Sequence, residues 1–156
     1  RYNPGGELSS IVTTLDYILP EGPIVRIFDS DGNEVKTYYS EASELDIPMA
    51  VVVNGSTASA AELFTSAVKD YKKAVIVGTT TYGKGCMQTT IPLRTSGAVS
   101  VTYRMYNPPF SDNYHGVGII PDIEVKLDES LEGKNIYKIT DEEDNQLKAA
   151  ADALNK

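Results

Sequence analysis

The stretch Met49-Ala-Val-Val-Val-Asn-Gly-Ser-Thr-Ala-Ser-Ala-Ala-Glu62, continued through Leu63, Phe64, Ala67 and Val68 to Ala74-Val-Ile-Val-Gly78, decides the fold class. Met49 to Val53 is apolar on both faces, the pattern of a buried strand in a parallel sheet. Leu63, Phe64, Ala67 and Val68 share one face of a helix ending near Tyr71. Ala74 to Val77 is a second buried strand, stopped by Gly78. Strand, helix, strand in this order implies a right-handed parallel crossover, so the chain is α/β.

Outward from this unit, the upstream turn Arg1-Tyr-Asn-Pro-Gly-Gly6 precedes Leu8, Ile11, Val12, Leu15, Ile18 and Leu19. Their helical spacing predicts a helix from about residue 5 to Pro20. Ile24 to Phe28 and Glu34 to Tyr39 flank Asp29-Ser-Asp-Gly32 as a hairpin. Downstream, Gln88 to Leu93 and Ala98 to Met105 are strand-like runs around Arg94-Thr-Ser-Gly97. A Pro/Gly-rich loop then leads to Ile123-Glu-Val-Lys-Leu127, which alternates like an exposed edge strand. Asp141 to Asp144 opens a last helix through Leu147, Ala150 and Leu154.

Composition narrows the function classes. A length of 156 residues with 41% hydrophobic and 23% charged side chains suits one globular domain and excludes disorder, collagen and coiled coil. Lys plus Arg number 14 against 22 Asp plus Glu, and the net charge of -8 argues against a nucleic-acid or anionic-membrane surface. One Cys and one His cannot build a Cys/His zinc site or an intramolecular disulfide.

Two segments carry candidate chemistry. Ser56-Thr-Ala-Ser-Ala-Ala-Glu62 sits at a strand-to-helix junction, where unpaired backbone N–H groups and the helix dipole suit a nucleophile and its oxyanion. The same residues read equally as a capping box, with Ser59 the N-cap and Glu62 its partner. Thr81-Tyr-Gly-Lys-Gly85 places a Lys between two glycines after a buried strand, where desolvation would make it a general base. A solvated turn lysine is the plain alternative, and a phosphate loop fails on spacing.

Together, Asn-Pro-Gly-Gly, Val-Val-Asn-x-x-Thr-Ala-Ser-Ala-x-Glu, Asp-Tyr, Val-Gly-x-x-Thr-Tyr-Gly-Lys-Gly-x-x-Gln and Gly-x-Gly-Ile-x-Pro-Asp resemble the C-terminal processing (tail-specific) peptidases of family S41. The resemblance runs from Arg1 to about Leu127. It implies a crotonase/ClpP-like core of βα units and an endopeptidase that cleaves extracytoplasmic protein substrates near their C-termini. No metal, nucleotide or other cofactor is implied. On its motifs, Ser59 falls on the nucleophile, Lys84 on the general base, Gln88 on the residue orienting that base, and Gly5 and Ala60 on the oxyanion-hole amides. Thr57, Ala61, Cys86 and Met87 depart from the common pattern, none at the central hydroxyl. Cys86 is read as a small semi-buried residue.

Relatives place a strand ending in Asp-Leu-Arg before Asn-Pro-Gly-Gly, whereas this chain begins at the Arg. The expectation is the C-terminal portion of a catalytic domain, with the N-terminal part of the core and any PDZ domain supplied by further chain, and with oligomerisation open. An inactive fragment, a ligand carrier resembling interphotoreceptor retinoid-binding protein, and a crotonase-type acyl-CoA enzyme are the alternatives. His115 reads as a loop histidine, Asp70 as a structural acid bonded to the following loop, and Asp141 to Asp144 as a helix-opening acidic turn rather than a calcium loop.

Overall fold

The computed structural model describes residues 1–155. Helix α1 spans Leu8–Asp16, strands β1 and β2 span Gly22–Phe28 and Glu34–Ser40, and β3 spans Met49–Val53. Helix α2 (Ala60–Asp70) leads to β4 (Ala74–Gly78), then β5 (Cys86–Pro92), β6 (Ala98–Asn107), the two-residue β7 (Ile123–Glu124) and α3 (Asn145–Leu154). The expected crossover is present: β3 and β4 pair in parallel from Met49↔Ala74 to Val53↔Gly78, with α2 between them in sequence.

Two sheets result. β3-β4-β7 is parallel throughout, and β2-β1-β6-β5 is antiparallel. Helix α2 contacts both β4 and β1, and α1 packs on α2 and on β1 and β2. Leu15, Leu19, Ile24, Val53, Leu63, Val68 and Ile76 fill the space between these elements. Complete burial of such side chains contributes roughly 1.5–3 kcal/mol each, which drives the two sheets to share one core.

Three details differ from the sequence reading. Helix α1 is shorter than expected at both ends, because the Pro-Gly-Gly turn keeps its own path and the chain leaves the helix at Tyr17. Ile18 and Leu19 donate back to the Leu15 carbonyl, so Leu19 reaches the core from a turn. β3 is half-buried over Met49–Val52, since it lies at the end of its sheet and only Val53 is fully covered. Finally, the run from Ile123 to Leu127 pairs only as far as Glu124 and one bond from Val125 N–H to Gly78 O, because β4 ends there. Among the described residues no helix is long and apolar enough to cross a membrane.

Candidate active site

The turn between β3 and α2 is fixed by its own polar side chains. Asn54 Oδ1 accepts the N–H groups of Ser56 (3.1 Å) and Tyr2 (3.0 Å), and Thr57 Oγ1 accepts that of Asn54 (3.0 Å). The buried Thr57 also accepts Tyr82 N–H on its carbonyl at 3.0 Å, which ties this turn to the loop after β4. Ser59 emerges at φ 56° and ψ -122°, backbone that side-chain-bearing residues rarely adopt. Such strain costs about 1–3 kcal/mol and persists only where the surroundings enforce it.

Glu62 is the chief enforcer. Its carboxylate is fully buried in the first turn of α2 and accepts four hydrogen bonds. Oε1 receives Thr81 Oγ1 (2.5 Å) and Gly83 N–H (2.6 Å), while Oε2 receives Ser59 N–H (2.9 Å) and Lys84 N–H (2.7 Å). Four donors and no acceptor around it match a group that only accepts. The capping box is therefore formed, and its carboxylate continues 22 residues further to the lysine loop. One oxygen thus joins the main chain of Ser59 to that of Lys84.

Both glycines of Gly-Lys-Gly are demanded by packing. At Gly83 (φ +90°) an added Cβ would stand 2.9 Å from Gly118 N, and at Gly85 it would stand 2.7 Å from Asn113 Oδ1. Asn113 Nδ2 donates to Gly85 O (2.9 Å) and to Tyr106 O (2.8 Å), so the 113–118 loop and β6 together brace the lysine. Tyr106 donates its own N–H to Gly85 O and its hydroxyl to Lys84 O.

These supports enclose a cleft of about 280 Å³ lined by Ser59, Ala60, Lys84, Gln88, Tyr106 and Gly6, among others. Ser59 and Lys84 share it, but among the described residues no hydrogen bond joins Ser59 Oγ to Lys84 Nζ. Gln88 projects from β5 and donates to Thr102 Oγ1 at 3.4 Å rather than to Lys84. Ala60 N–H opens α2 with no partner among the described residues, as an oxyanion donor requires. Gly5 (φ +94°) approaches so closely that an added Cβ would lie 2.7 Å from Ala60 N, whereas its own N–H is held by Asn3 Oδ1 at 3.0 Å. A larger cavity of about 490 Å³ lies beyond Gly5 along β3, and neither Ser59 nor Lys84 lines it.

The other singled-out residues stand apart from this chemistry. His115 is exposed and does not line the cleft. Asp70 accepts Phe110 N–H (2.8 Å) and Ser111 N–H (2.9 Å), a structural role as expected, but its partners lie in the loop after β6 and not in the loop that follows α2. Cys86 is buried beside the cleft, more fully than its reading as semi-buried implies, because it begins β5 against β6. Asp144 caps α3 through Gln146 and Leu147 N–H and pairs with Arg1, whose guanidinium holds its carboxyl below the usual carboxylate range against the opposing effect of burial. Among the described residues no group of three or more His, Cys, Asp or Glu side chains is arranged to hold a metal ion.

Residues 1–125 match the model of peptidase family S41. The chain belongs to that family. It is 36% identical over 140 residues to a carboxy-terminal-processing protease of Bartonella bacilliformis, covering 87% of this chain and 32% of the relative. A carboxyl-terminal-processing protease of Synechocystis is 34% identical over 154 residues, covering 99% of this chain and 35% of that protein. The solved photosystem II D1 C-terminal processing protease superposes with a TM-score of 0.72 at 33% identity, covering 81% of this chain and 33% of that one. The chain thus spans about a third of the length of these relatives.

Three supports of this candidate site escape a reading of sequence alone. Glu62 advertises its cap but not its reach to Gly83 and Lys84. Tyr106 sits in a β-rich run where an aromatic residue reads as core, and Asn113 in a loop whose only signal is its Asn.

Proposed function

We propose that this chain carries the catalytic dyad of a serine endopeptidase that cleaves protein substrates near their C-termini, outside the cytoplasm. Lys84 Nζ takes the proton of Ser59 as Oγ bonds to the substrate carbonyl carbon. Ala60 N–H receives the oxyanion, joined by Gly5 N–H once Asn3 Oδ1 releases it. Lys84 returns the proton to the leaving amine as the C–N bond breaks, and water, deprotonated by the same lysine, hydrolyses the acyl-enzyme. Gln88 orients the Lys84 ammonium from β5.

The observation that carries this reading is the joint suspension of Ser59 and Lys84 N–H groups on one buried Glu62 oxygen, with both residues lining one cleft. A bond from Ser59 to Lys84 absent at rest forms when substrate closes the site, since catalytic contacts often tighten only in the complex. The names of the relatives support the substrate class. The test is cleavage of an unfolded protein substrate by the intact protein. Ser59→Ala and Lys84→Ala are each expected to abolish turnover; residual activity near wild type in either removes the dyad.

A further inference from the structure

Tyr106 is buried on β6, yet it lines the cleft that holds Ser59 and Lys84. Its hydroxyl donates to the Lys84 carbonyl, its N–H donates to Gly85 O at 3.2 Å, and its carbonyl accepts Asn113 Nδ2 at 2.8 Å. Two of these bonds join Tyr106 to the lysine segment directly, and the third reaches it through Asn113, which also donates to Gly85 O. Tyr106 and Ser59 line the same cleft, so the residue that holds the Lys84 carbonyl stands on the wall the nucleophile shares.

We propose that Tyr106 is a positioning residue of the dyad, its hydroxyl fixing the Lys84 main chain within the cleft that Ser59 shares. This rests on the Ser-Lys reading above. Glu62 holds the N–H side of Ser59 and Lys84 from beneath. Tyr106 holds the opposite side of Lys84, its carbonyl. Without it the Lys84 carbonyl loses its partner, the segment is held only by Glu62 on the Lys84 N–H and by the bonds to Gly85 O, and Nζ is aimed less firmly at Ser59. The phenol suits this task because it stays protonated. Burial is the chief cause that raises its pKa above the ordinary tyrosine value.

A matched control lies alongside. Tyr114 packs edge-on against Tyr106 with ring centroids 6.2 Å apart, and its hydroxyl is buried with no hydrogen-bond partner. Removal of that hydroxyl breaks no hydrogen bond, whereas removal of the Tyr106 hydroxyl releases the Lys84 carbonyl.

The experiment compares Tyr106→Phe, Tyr114→Phe and Ser59→Ala in the intact protein, measuring kcat and KM separately together with the thermal midpoint. Tyr106→Phe is expected to lower kcat by about 10-fold or more with KM within about twofold, since only the approach of nucleophile and base is disturbed. Tyr114→Phe keeps wild-type kcat. Wild-type kcat in Tyr106→Phe, with Ser59→Ala inactive, overturns the role of Tyr106 alone. A loss in Tyr106→Phe matched by an equal loss in Tyr114→Phe also overturns it, since packing would then explain both. Full activity in Ser59→Ala instead overturns the dyad, and this inference with it.

Discussion

Glu62→Gln tests the keystone of the site, because it preserves shape while changing what the side chain can accept. The native carboxylate serves four donors, and an amide keeps one oxygen for two of them. The less costly orientation leaves that oxygen with Ser59 and Lys84 N–H and turns the NH₂ toward Thr81, whose hydroxyl can accept it. Gly83 N–H then has no acceptor in a buried position, at about 1–3 kcal/mol, and the remaining bonds lose their charge assistance. A total of about 2–4 kcal/mol follows. For a domain of this size each kcal/mol lowers the thermal midpoint by roughly 2–4 °C, so Glu62→Gln should melt about 4–16 °C below wild type. Turnover should fall roughly tenfold, as the shared oxygen survives without its charge. Glu62→Ala strands all four donors and should be inactive and far less stable. Circular dichroism melts and cleavage of an unfolded substrate check both variants. A Gln variant melting within 1 °C of wild type, or an active Ala variant, refutes the argument.

Gly5→Ala should abolish acylation while leaving a folded protein, since φ +94° disfavours any side chain and the new Cβ would press on Ala60 N at 2.7 Å and Ala58 O at 2.6 Å; the rate of covalent labelling at Ser59 reads this directly. Asp144 gives a pH prediction. Its folded pKa is depressed chiefly by the Arg1 side chain, so its contribution to stability is complete above the unfolded value near 3.9 and disappears as pH falls through the lower folded value. Asp144→Asn should therefore be destabilised at pH 7, and its deficit relative to wild type should close in acid; unfolding curves at neutral and acidic pH measure the gap, and a gap unchanged in strong acid contradicts the assignment.

Local patterning carried most of the architecture. β3, α2 and β4 lie where their apolar runs place them, because each run is long, bounded by polar or glycine residues and uninterrupted. Both antiparallel hairpins follow from Gly-containing turns at Asp29–Gly32 and Arg94–Gly97. Features set by partners distant in sequence were not legible. The extent of β7 depends on where β4 stops, and the half-exposed β3 on its position at the sheet end. Short 3-10 turns at Glu129–Leu131 and Ile136–Lys138 lack apolar periodicity, although Asp128 and Asn135 accept the N–H two residues on and are ordinary turn signals.

The site divides in the same way. Ser59, Lys84, Gln88 and Ala60 are named by motif and converge on one cleft, whereas Gly5 stands behind it with its N–H engaged by Asn3. What holds them there is built from long-range bonds by Glu62, Asn113 and Tyr106, whose side chains look ordinary in their own segments.

The proposed mechanism makes Ser59 a nucleophile activated by Lys84. Its most direct test is mass spectrometry of the intact protein after exposure to a serine-directed acylating probe. One adduct is expected, on the peptide containing Ser59, absent in Ser59→Ala and formed at least about 100-fold more slowly in Lys84→Ala. A wild-type protein labelled elsewhere, or a Lys84→Ala variant labelled at the wild-type rate, would contradict it.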